Sequence, residues 1–287
     1  MKPIVKSFFD YPTSTFSHIV HSVTSSHCAV IDSVLGYEAH SGRTNTKSAD
    51  QILEYIETEG LKVEWILETH IHADHISAAR YIKGKTGGKI GASYAVKQVC
   101  NTFRKLYHIS ETTADLVSHF DHLFDIDEEF KIGPLLCQAL SVPGHTPADI
   151  AYLVENTEVF VGDTLFPPDV GTARCDFPGG SAKQIYQSIG KLLSLPPETR
   201  LYMCHDYPPT DRPLINCCTV AEQLQNNIHL KDGITEKDFI ATRTERDATL
   251  DIPLLLIPSI QVNLRSGKLP EPEANGIQYL KVPIDIF

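Results

Sequence analysis

Two kinds of hydrophobic pattern follow one another along the chain, and each predicts a different element. Short apolar, β-prone runs predict strands. They fall at two strands within 14–37, and at 63–69, 89–92, 130–142, 150–154, 159–161 and 201–204. Apolar residues at helical spacing predict helices at 48–58, 76–82, 94–107, 181–195, 219–230 and 235–248. This mixture predicts an α/β protein in which two mixed β-sheets lie between helices.

The C-terminal part of the chain has a different composition, since its last forty residues are rich in proline and are predicted to be irregular. No internal repeat, low-complexity segment or clear linker divides the 287 residues, a length that allows one large domain or two small ones. We therefore expect a single domain over residues 1–287, with the C-terminal helices and the proline-rich tail from about residue 216 packed on it.

Charge and composition exclude several classes of partner. The formal net charge of -11 disfavours nucleic acid and anionic membrane surfaces, and no apolar run approaches the ~18 residues that a spanning helix needs. The N-terminus has neither the apolar core of a signal peptide nor the arginines of a transit peptide. Seven cysteines without a framework spacing indicate reduced thiols. We therefore predict a cytoplasmic protein that acts on a small molecule, and a homodimer is left open.

The densest group of metal-binding side chains lies between the predicted strand at 63–69 and the predicted helix at 76–82. Three histidines and a carboxylate fall within the six residues from His70 to His75. One histidine in a polar loop would be ordinary, but imidazole and carboxylate at this spacing are typical transition-metal ligands. We expect Asp74 to cap the helix or turn inward, and His75 to lie in its first turn. The histidines of the first two strands are expected to face outward: His18, His21 and His27.

Three further polar residues follow predicted strands. His145 comes after an apolar run and a Pro-Gly turn, Asp163 comes after a buried strand, and His205 comes after another. Gly162 permits a tight bend just before Asp163. Each residue alone is a weak signal, but four strand ends with zinc- or iron-type ligands in one chain predict a shared metal site.

The series His70-x-His72-x-Asp74-His75, followed by His145, Asp163 and His205, resembles the metallo-β-lactamase superfamily. The resemblance extends from the early strands to about Pro209 and fills all seven ligand positions. It implies an αββα sandwich with a metal site at one edge. The motif is specific for the superfamily but not for one reaction.

Two branches of the superfamily share these seven residues. The resemblance to persulfide dioxygenases implies one Fe(II), held by His70, His145 and Asp163, which are then the catalytic ligands. The remaining four would orient those ligands or bond to metal-bound water: His72, Asp74, His75 and His205. The resemblance to glyoxalase II implies two zinc ions instead. His70, His72 and His145 would then hold one ion, Asp74, His75 and His205 the other, and Asp163 would bridge them.

Segments outside the ligands favour the dioxygenase branch. Residues 171–180, GTARCDFPGG, and residues 202–207, YMCHDY, resemble that branch, and residues 258–263, PSIQVN, are similar to its bacterial members. Most glyoxalase II enzymes lack the first run, and their C-terminal part is more helical. The resemblance therefore implies a glutathione-dependent persulfide dioxygenase, which oxidises glutathione persulfide with O2 and water to sulfite and glutathione.

Two alternatives are kept. A glyoxalase II-like zinc enzyme would hydrolyse glutathione thioesters with a bridging hydroxide. A metal-holding protein without turnover is also conceivable, although superfamily members that lost activity usually lost ligands, and none is missing here.

Local cations are needed for glutathione, which carries two carboxylates, because the protein is acidic. Arg174 lies eleven residues after Asp163, and Tyr207 resembles a glutathione-contacting tyrosine of glyoxalase II. Arg243 and Arg246 lie one turn apart on the predicted 235–248 helix, at the spacing of the basic pair that glyoxalase II uses. A solvated helix face is the alternative for that pair. Cys217 and Cys218 are expected to be structural. Cys175, next to Arg174, is also expected to be a structural thiol, with a reactive or sulfur-relaying role as the alternative.

Overall fold

The computed structural model describes residues 2–209, 211–230 and 233–286. Its strands are β1 (Pro3–Asp10), β2 (Thr15–Ser22), β3 (His27–Ile31), β4 (Val34–Glu38), β5 (Arg43–Asn45), β6 (Lys62–Leu67), β7 (Ile76–Ser77), β8 (Lys89–Ser93), β9 (His122–Phe124), β10 (Glu128–Ile132), β11 (Leu135–Ser141), β12 (Ile150–Val154), β13 (Glu158–Phe160), β14 (Arg200–Tyr202) and β15 (Cys217–Thr219). Its helices are α1 (Lys47–Thr58), α2 (Ala79–Thr86), α3 (Val96–Leu106), α4 (Thr113–Val117), α5 (Ala182–Leu193), α6 (Val220–Asn226), α7 (Glu236–Asp247) and α8 (Leu256–Asn263).

Two six-stranded sheets lie at the centre of the molecule. The first has the order β1-β2-β3-β6-β8-β9 and the second the order β10-β11-β12-β13-β14-β15, while β5, β4 and β7 form a small third sheet. In the first sheet the pairs β3–β6, β6–β8 and β8–β9 are parallel and the others antiparallel. In the second sheet β13 and β14 pair in parallel, between antiparallel neighbours. Both sheets are therefore mixed.

Side chains of β12 show how the layers are held together. Ile150, Tyr152 and Val154 pack between the two sheets, together with apolar residues of β3 and β6. Ala151 and Leu153 point to the opposite face, as alternation along a strand requires, and pack with residues of α5 and α7. Helices α1 to α4 and α8 cover the outer face of the first sheet. The layer order is helix, sheet, sheet, helix, which confirms the predicted αββα sandwich.

The proline-rich C-terminal part contains a helix that the sequence pattern did not predict. Helix α8 has Pro258 as its third residue, within the first turn, where backbone N–H groups have no partner inside the helix. Proline therefore does not interrupt it. Leu256 and Ile260 are buried against the first sheet's helical layer, so tertiary packing stabilises a segment whose composition favours irregular structure.

The loop 68–75, which carries the histidine cluster and is called the metal-binding loop below, ends differently from the prediction. The helix expected at 76–82 begins only at Ala79, because the residues before it form β7 and pair with β4. His75 therefore does not lie in a helical turn, and Asp74 caps no helix but turns inward. Among residues 2–209, 211–230 and 233–286, no helix has both the length and the apolar character needed to cross a bilayer.

Two histidines of β2 are buried rather than outward-facing. His18 is 1% exposed and His21 is 6% exposed, whereas His27 is exposed as predicted. Nε2 of His18 donates to the backbone oxygen of Met203, 2.9 Å away, and its Nδ1 lies 2.8 Å from the hydroxyl of Ser7. His18 therefore links the first sheet to the segment after β14 of the second.

Candidate metal centre

Four strand ends converge at one edge of the sandwich. The loop 68–75 follows β6, His145 lies between β11 and β12, Asp163 lies in a short 3₁₀ turn after β13, and His205 follows β14. The parallel pairing of β13 and β14 places their carboxyl ends side by side. Gly162 has φ of +53°, and an added Cβ would lie 2.7 Å from the Thr69 hydroxyl, so only glycine fits the bend before Asp163.

The first group of candidate ligands consists of His70, His145 and Asp163, all buried. Oδ2 of Asp163 lies 3.8 Å from Nε2 of His70 and 3.5 Å from Nε2 of His145. Ligand atoms that surround one ion at bond lengths of about 2.0–2.2 Å are separated by distances of this order. The structure therefore brings together the three residues that the resemblance assigned to iron.

A second group lies beside the first and shares Asp163 with it. Nε2 of His205 is 3.0 Å from Oδ2 of Asp74 and 3.4 Å from Oδ1 of Asp163. His72 and His75 also lie close to His205, in a cluster that includes the thiol of Cys204. Asp163 therefore turns one carboxylate oxygen towards each group.

Buried polar atoms without a hydrogen-bond partner show that these residues fit a metal ion. They include the following atoms: His70 Nε2, His72 Nδ1, His75 Nε2, His205 Nε2 and Asp163 Oδ1. An unpaired buried polar atom costs about 1–3 kcal/mol, so five at one place require a compensating partner. Imidazole nitrogen and carboxylate oxygen are ligands for iron and zinc alike. The site therefore indicates a metal cofactor without selecting its identity.

Two of the candidate ligand histidines, His145 and His205, are held by a hydrogen bond from Nδ1. Nδ1 of His145 donates to the backbone oxygen of Arg174 at 2.7 Å, and Nδ1 of His205 donates to that of Ser14 at 3.1 Å. Such bonds fix the tautomer and the ring direction, so that Nε2 presents its lone pair to the centre.

Asp32 is a part of the site that the sequence reasoning missed. It is buried at the end of β3 and accepts hydrogen bonds from the backbone N–H of Thr69 at 2.8 Å, the Thr69 hydroxyl at 2.9 Å and Nε2 of His72 at 3.0 Å. Because the Thr69 hydroxyl donates to Asp32, it accepts from Nδ1 of His70, 3.1 Å away. The signal was available, since an Asp after a buried strand is the same pattern that pointed to Asp163.

Glu68 is a second buried carboxylate near His72. It accepts a hydrogen bond from the Ser77 hydroxyl at 2.6 Å and lies 3.3 Å from Nε2 of His72. Burial opposes the charging of His72, but the charge of Asp32 and then Glu68 raise the pKa of His72 well above its ordinary value. These carboxylates make His72 a strongly basic imidazole.

Other ligand histidines have the opposite shift. Burial, followed by the charges of neighbouring imidazoles, lowers the pKa of His70 well below its ordinary value. Burial and then His72 lower the pKa of His75 to about 3. Both rings are therefore neutral at physiological pH, the form in which imidazole binds metal.

A cavity of about 1010 Å³ opens over the centre and reaches Asp74, His145 and Asp163. All four predicted substrate contacts line it: Arg174, Tyr207, Arg243 and Arg246. Tyr207 is half-exposed and its ring is stacked on that of His205 at an interplanar angle of 9°. This cavity is large enough for a tripeptide-sized ligand.

The three arginines have different surroundings. Arg174 pairs with Asp176 at 2.6 Å. Arg243 is 3% exposed, pairs with Asp247 and donates to the backbone oxygen of Thr172 at 3.0 Å. Arg246, one turn along α7, is exposed and has no ion pair within the described residues.

Lys47 was not predicted as a site residue, yet it lines the same cavity from the N-terminus of α1. Its side chain is exposed, and within residues 2–209, 211–230 and 233–286 it forms no ion pair. Lys47 and Arg246 therefore give the cavity two cations that are not engaged by protein carboxylates. No sequence signal distinguished Lys47 from other surface lysines.

The cysteine near the cavity is a buried thiol. Cys175 is buried, and its backbone N–H donates to Asp247 at 2.8 Å. Burial raises the pKa of the Cys175 thiol, so it is not a thiolate at neutral pH. All seven cysteines are free, in agreement with the reduced thiols expected from their spacing.

Comparison with known proteins places this site in a family. The sequence model of the metallo-β-lactamase superfamily matches residues 11–205. The chain belongs to this superfamily. The matched range contains all seven candidate ligands as well as Asp32 and Glu68, and the match confirms the resemblance to the superfamily.

Two curated relatives match this superfamily member over nearly their whole length. A probable metallo-hydrolase of Burkholderia pseudomallei (strain 1710b) is 51% identical over 98% of this chain and 99% of its own. Glyoxylase B2 of Dictyostelium discoideum is 49% identical over 99% of this chain and 98% of its own.

Among solved structures, ETHE1 from Myxococcus xanthus is similar with a TM-score of 0.73 and 26% identity, over 92% of this chain and 100% of that one. The superfamily model matches residues 11–205, whereas this structural likeness covers 92% of the chain. The likeness therefore includes residues beyond the superfamily match.

Proposed function

We propose that this chain is a glutathione-dependent persulfide dioxygenase, which oxidises glutathione persulfide with O2 and water to sulfite and glutathione. The observation that carries the proposal is the sequence of residues 171–180, GTARCDFPGG, which resembles the persulfide dioxygenase branch, and the structural likeness to ETHE1 from Myxococcus xanthus at 26% identity supports it. The segment 171–180, which resembles that branch in sequence, forms a wall of the cavity beside His145. The proposal therefore uses residues outside the common ligand set.

His70, His145 and Asp163 would hold the metal through Nε2, Nε2 and a carboxylate oxygen. Fe(II) held by two histidines and one carboxylate would supply open coordination positions where the substrate sulfur and O2 meet. The remaining residues of the centre orient these ligands and exclude bulk water. The hydrogen-bond chain from His70 through Thr69 to Asp32 sets the direction of the first ligand.

The cavity walls supply the contacts for glutathione. Because Arg174 and Arg243 are already paired with carboxylates of the protein, we assign the two carboxylates of the substrate to Arg246 and Lys47. Tyr207, half-exposed in the cavity wall, would donate its hydroxyl to the peptide part of the substrate.

Arg174 has a different role in this scheme. Its backbone oxygen accepts from His145, and its guanidinium lies over the ring of Phe177, 5.7 Å from the centroid, while Phe177 packs against His145. Arg174 therefore connects the cavity wall to a metal ligand, and its loss is expected to lower kcat as well as raise KM.

A zinc hydrolase of glutathione thioesters is the second candidate. It is favoured by the two oxygens of Asp163, which face different ligand groups, and by the 49% identity to a glyoxylase. In that case Asp74, His75 and His205 would hold a second ion. The wall residues would bind the glutathione part of the thioester in the same way.

One experiment separates the two candidates. Protein is prepared from iron-supplemented and from zinc-supplemented cells, its metal content is measured, and each preparation is assayed for O2 uptake with glutathione persulfide and for hydrolysis of a glutathione thioester. We expect close to one iron per chain and O2 uptake that a chelator abolishes. Two zinc ions per chain with full thioester hydrolysis would overturn the dioxygenase. Asp163→Ala protein serves as the inactive control in both assays.

A further inference from the structure

The C-terminal helix α8 lies outside the superfamily match, which ends at residue 205, yet it touches the metal-binding loop. Its last residue, Asn263, is 3% exposed. The side-chain amide donates to the backbone oxygens of His72 and His75, both at 2.8 Å, and accepts from the backbone N–H of Ser77 at 2.8 Å. One side chain thus binds two peptide groups of the loop and one of β7, which follows it.

These three hydrogen bonds take the place of the backbone hydrogen bonds that a helix or a strand would supply. Residues 68–75 form neither helix nor strand, so ordering them costs conformational entropy that other contacts must offset. By holding the peptide groups of residues 72 and 75, Asn263 fixes the positions from which His72 and His75 project. Nδ1 of His72 and Nε2 of His75 are among the unpaired buried atoms at the centre.

The chain just after α8 packs against β7, the strand that follows this loop. Gly267 has φ of +82°, and an added Cβ would lie 2.4 Å from the backbone oxygen of Ser77. The peptide of residue 267 can approach Ser77 this closely only because glycine has no side chain. Two positions, Asn263 and Gly267, therefore shape the loop from the same C-terminal segment.

We propose that Asn263 is a positioning residue that holds the metal-binding loop in its metal-competent conformation. It touches neither metal nor substrate and acts through the backbone of His72 and His75. The inference is independent of whether the centre performs oxygenation or hydrolysis, because both ligand schemes use this loop. It also assigns a role to the 258–263 segment, which no ligand or substrate contact explains.

The test measures metal binding without any assay of activity. Metal-free parent protein and Asn263→Ala are titrated with Co²⁺ alone, followed by its visible absorption spectrum and by calorimetry. Loss of supporting hydrogen bonds typically weakens metal affinity about 10–100-fold, and we expect that range with an altered Co²⁺ spectrum. Asn263→Leu, which fills a similar volume without hydrogen bonds, should bind as weakly as the alanine variant.

The chain offers matched controls on the same helix. Ser259 is fully buried, and its hydroxyl has no hydrogen-bond partner in the described structure, so Ser259→Ala should retain the parent affinity. Gln261 binds the tail at Lys281 rather than the loop, so Gln261→Ala reports a destabilised α8 without loss of the loop bonds.

Clear results would overturn the proposal. If Asn263→Ala or Asn263→Leu binds Co²⁺ like the parent and only lowers Tm, the residue is structural. If Gln261→Ala weakens Co²⁺ binding as much as Asn263→Ala, general stability of α8 explains the effect. Should Asn263→Ala not fold, Asn263→Ser retains one hydroxyl donor and should bind with intermediate affinity; parent-like affinity in that variant would contradict the role.

Discussion

Asp163 occupies the point where the two ligand groups meet. One of its oxygens is 3.5 Å from His145 and the other is 3.4 Å from His205. Burial raises the pKa of Asp163, and the charges of His205 and His145 offset only part of the loss of water. A residue that both groups share is indispensable in either ligand scheme, whereas His75 belongs to only one of them.

This difference gives a prediction at the residue scale. Asp163→Ala and His145→Ala should each abolish iron binding, because each removes one of three protein ligands. His75→Ala should keep most of the iron and lose about 10–100-fold in rate, as expected for a residue that only orients the ligands or their water. Metal content by elemental analysis, with O2 uptake measured on the same samples, checks both outcomes.

The His75→Ala variant also decides between the two schemes. If it loses all its metal, His75 is itself a ligand of an ion that the protein cannot do without, and the two-metal arrangement is favoured. Ser259→Ala, which removes a buried hydroxyl remote from the cavity, is the control for effects of substitution alone.

At the scale of the element, two arginines one turn apart on helix α7 have different surroundings and therefore different expected roles. The spacing predicted one shared role for Arg243 and Arg246. In the folded protein Arg243 is buried against Asp247, itself 5% exposed, whereas Arg246 projects into the cavity. Asp247 also accepts from the backbone N–H of Cys175, so the ion pair connects α7 to the 171–180 wall.

We therefore predict that substitution of Arg243 affects stability, whereas substitution of Arg246 affects substrate binding. Arg243→Met leaves Asp247 buried without its cation and should lower the free energy of unfolding by about 3–5 kcal/mol. Arg246→Ala should leave the unfolding free energy unchanged and raise KM for glutathione persulfide about 10-fold, because it removes a charge-assisted contact from binding while kcat is spared. Urea unfolding and O2 uptake against substrate concentration measure the two effects.

Lys237 provides the matched control for this pair. It is an exposed cation on the same helix but does not line the cavity, so Lys237→Ala should leave both KM and stability unchanged. If Arg246→Ala equals the parent in KM, the substrate carboxylates bind elsewhere, and α7 presents only a solvated face.

At the scale of the whole molecule, the two sheets are joined by polar contacts as well as by their apolar interface. His18 of the first sheet donates to the backbone oxygen of Met203, next to the second sheet, and Tyr152 of the second donates to that of Glu68 at 2.9 Å. Burial lowers the pKa of His18 to about 4, below its ordinary value of 6.5. The sandwich therefore encloses a histidine that must stay neutral.

This burial predicts a loss of stability in acid. Because the folded pKa is lower than the unfolded one, the unfolded chain binds more protons between pH 6.5 and 4, and stability falls as the pH falls through that window. The shift corresponds to a contribution on the order of 3 kcal/mol. His18→Gln should show a smaller decrease in unfolding free energy between pH 7 and pH 4.5 than the parent.

The measurement is urea unfolding at the two pH values, for parent and variant with the same metal content. His27→Gln changes an exposed histidine close by and is the control. An unchanged pH dependence in His18→Gln would mean that other buried groups, such as those at the metal centre, account for the acid sensitivity.

The sequence by itself determined the layer architecture and identified the candidate metal ligands. An apolar run followed by His or Asp is a local pattern. The apolar residues form a buried strand, and the polar residue that follows lies in the loop at the sheet edge. The spacing from His70 to His75 carries its chemistry within six residues, so no long-range information was needed to recognise it. Asp163 was found in the same way, with Gly162 supplying the bend.

Only the tertiary structure decided which polar groups become partners across long sequence distances. Asp32 meets His72 forty residues away, and Asn263 meets the same loop from the other end of the chain. Whether an arginine is buried in an ion pair or free in the cavity depends on what packs around α7, which no helical spacing contains. The helix around Pro258 forms because its apolar side chains are buried, a gain in free energy that exists only once the sandwich is assembled.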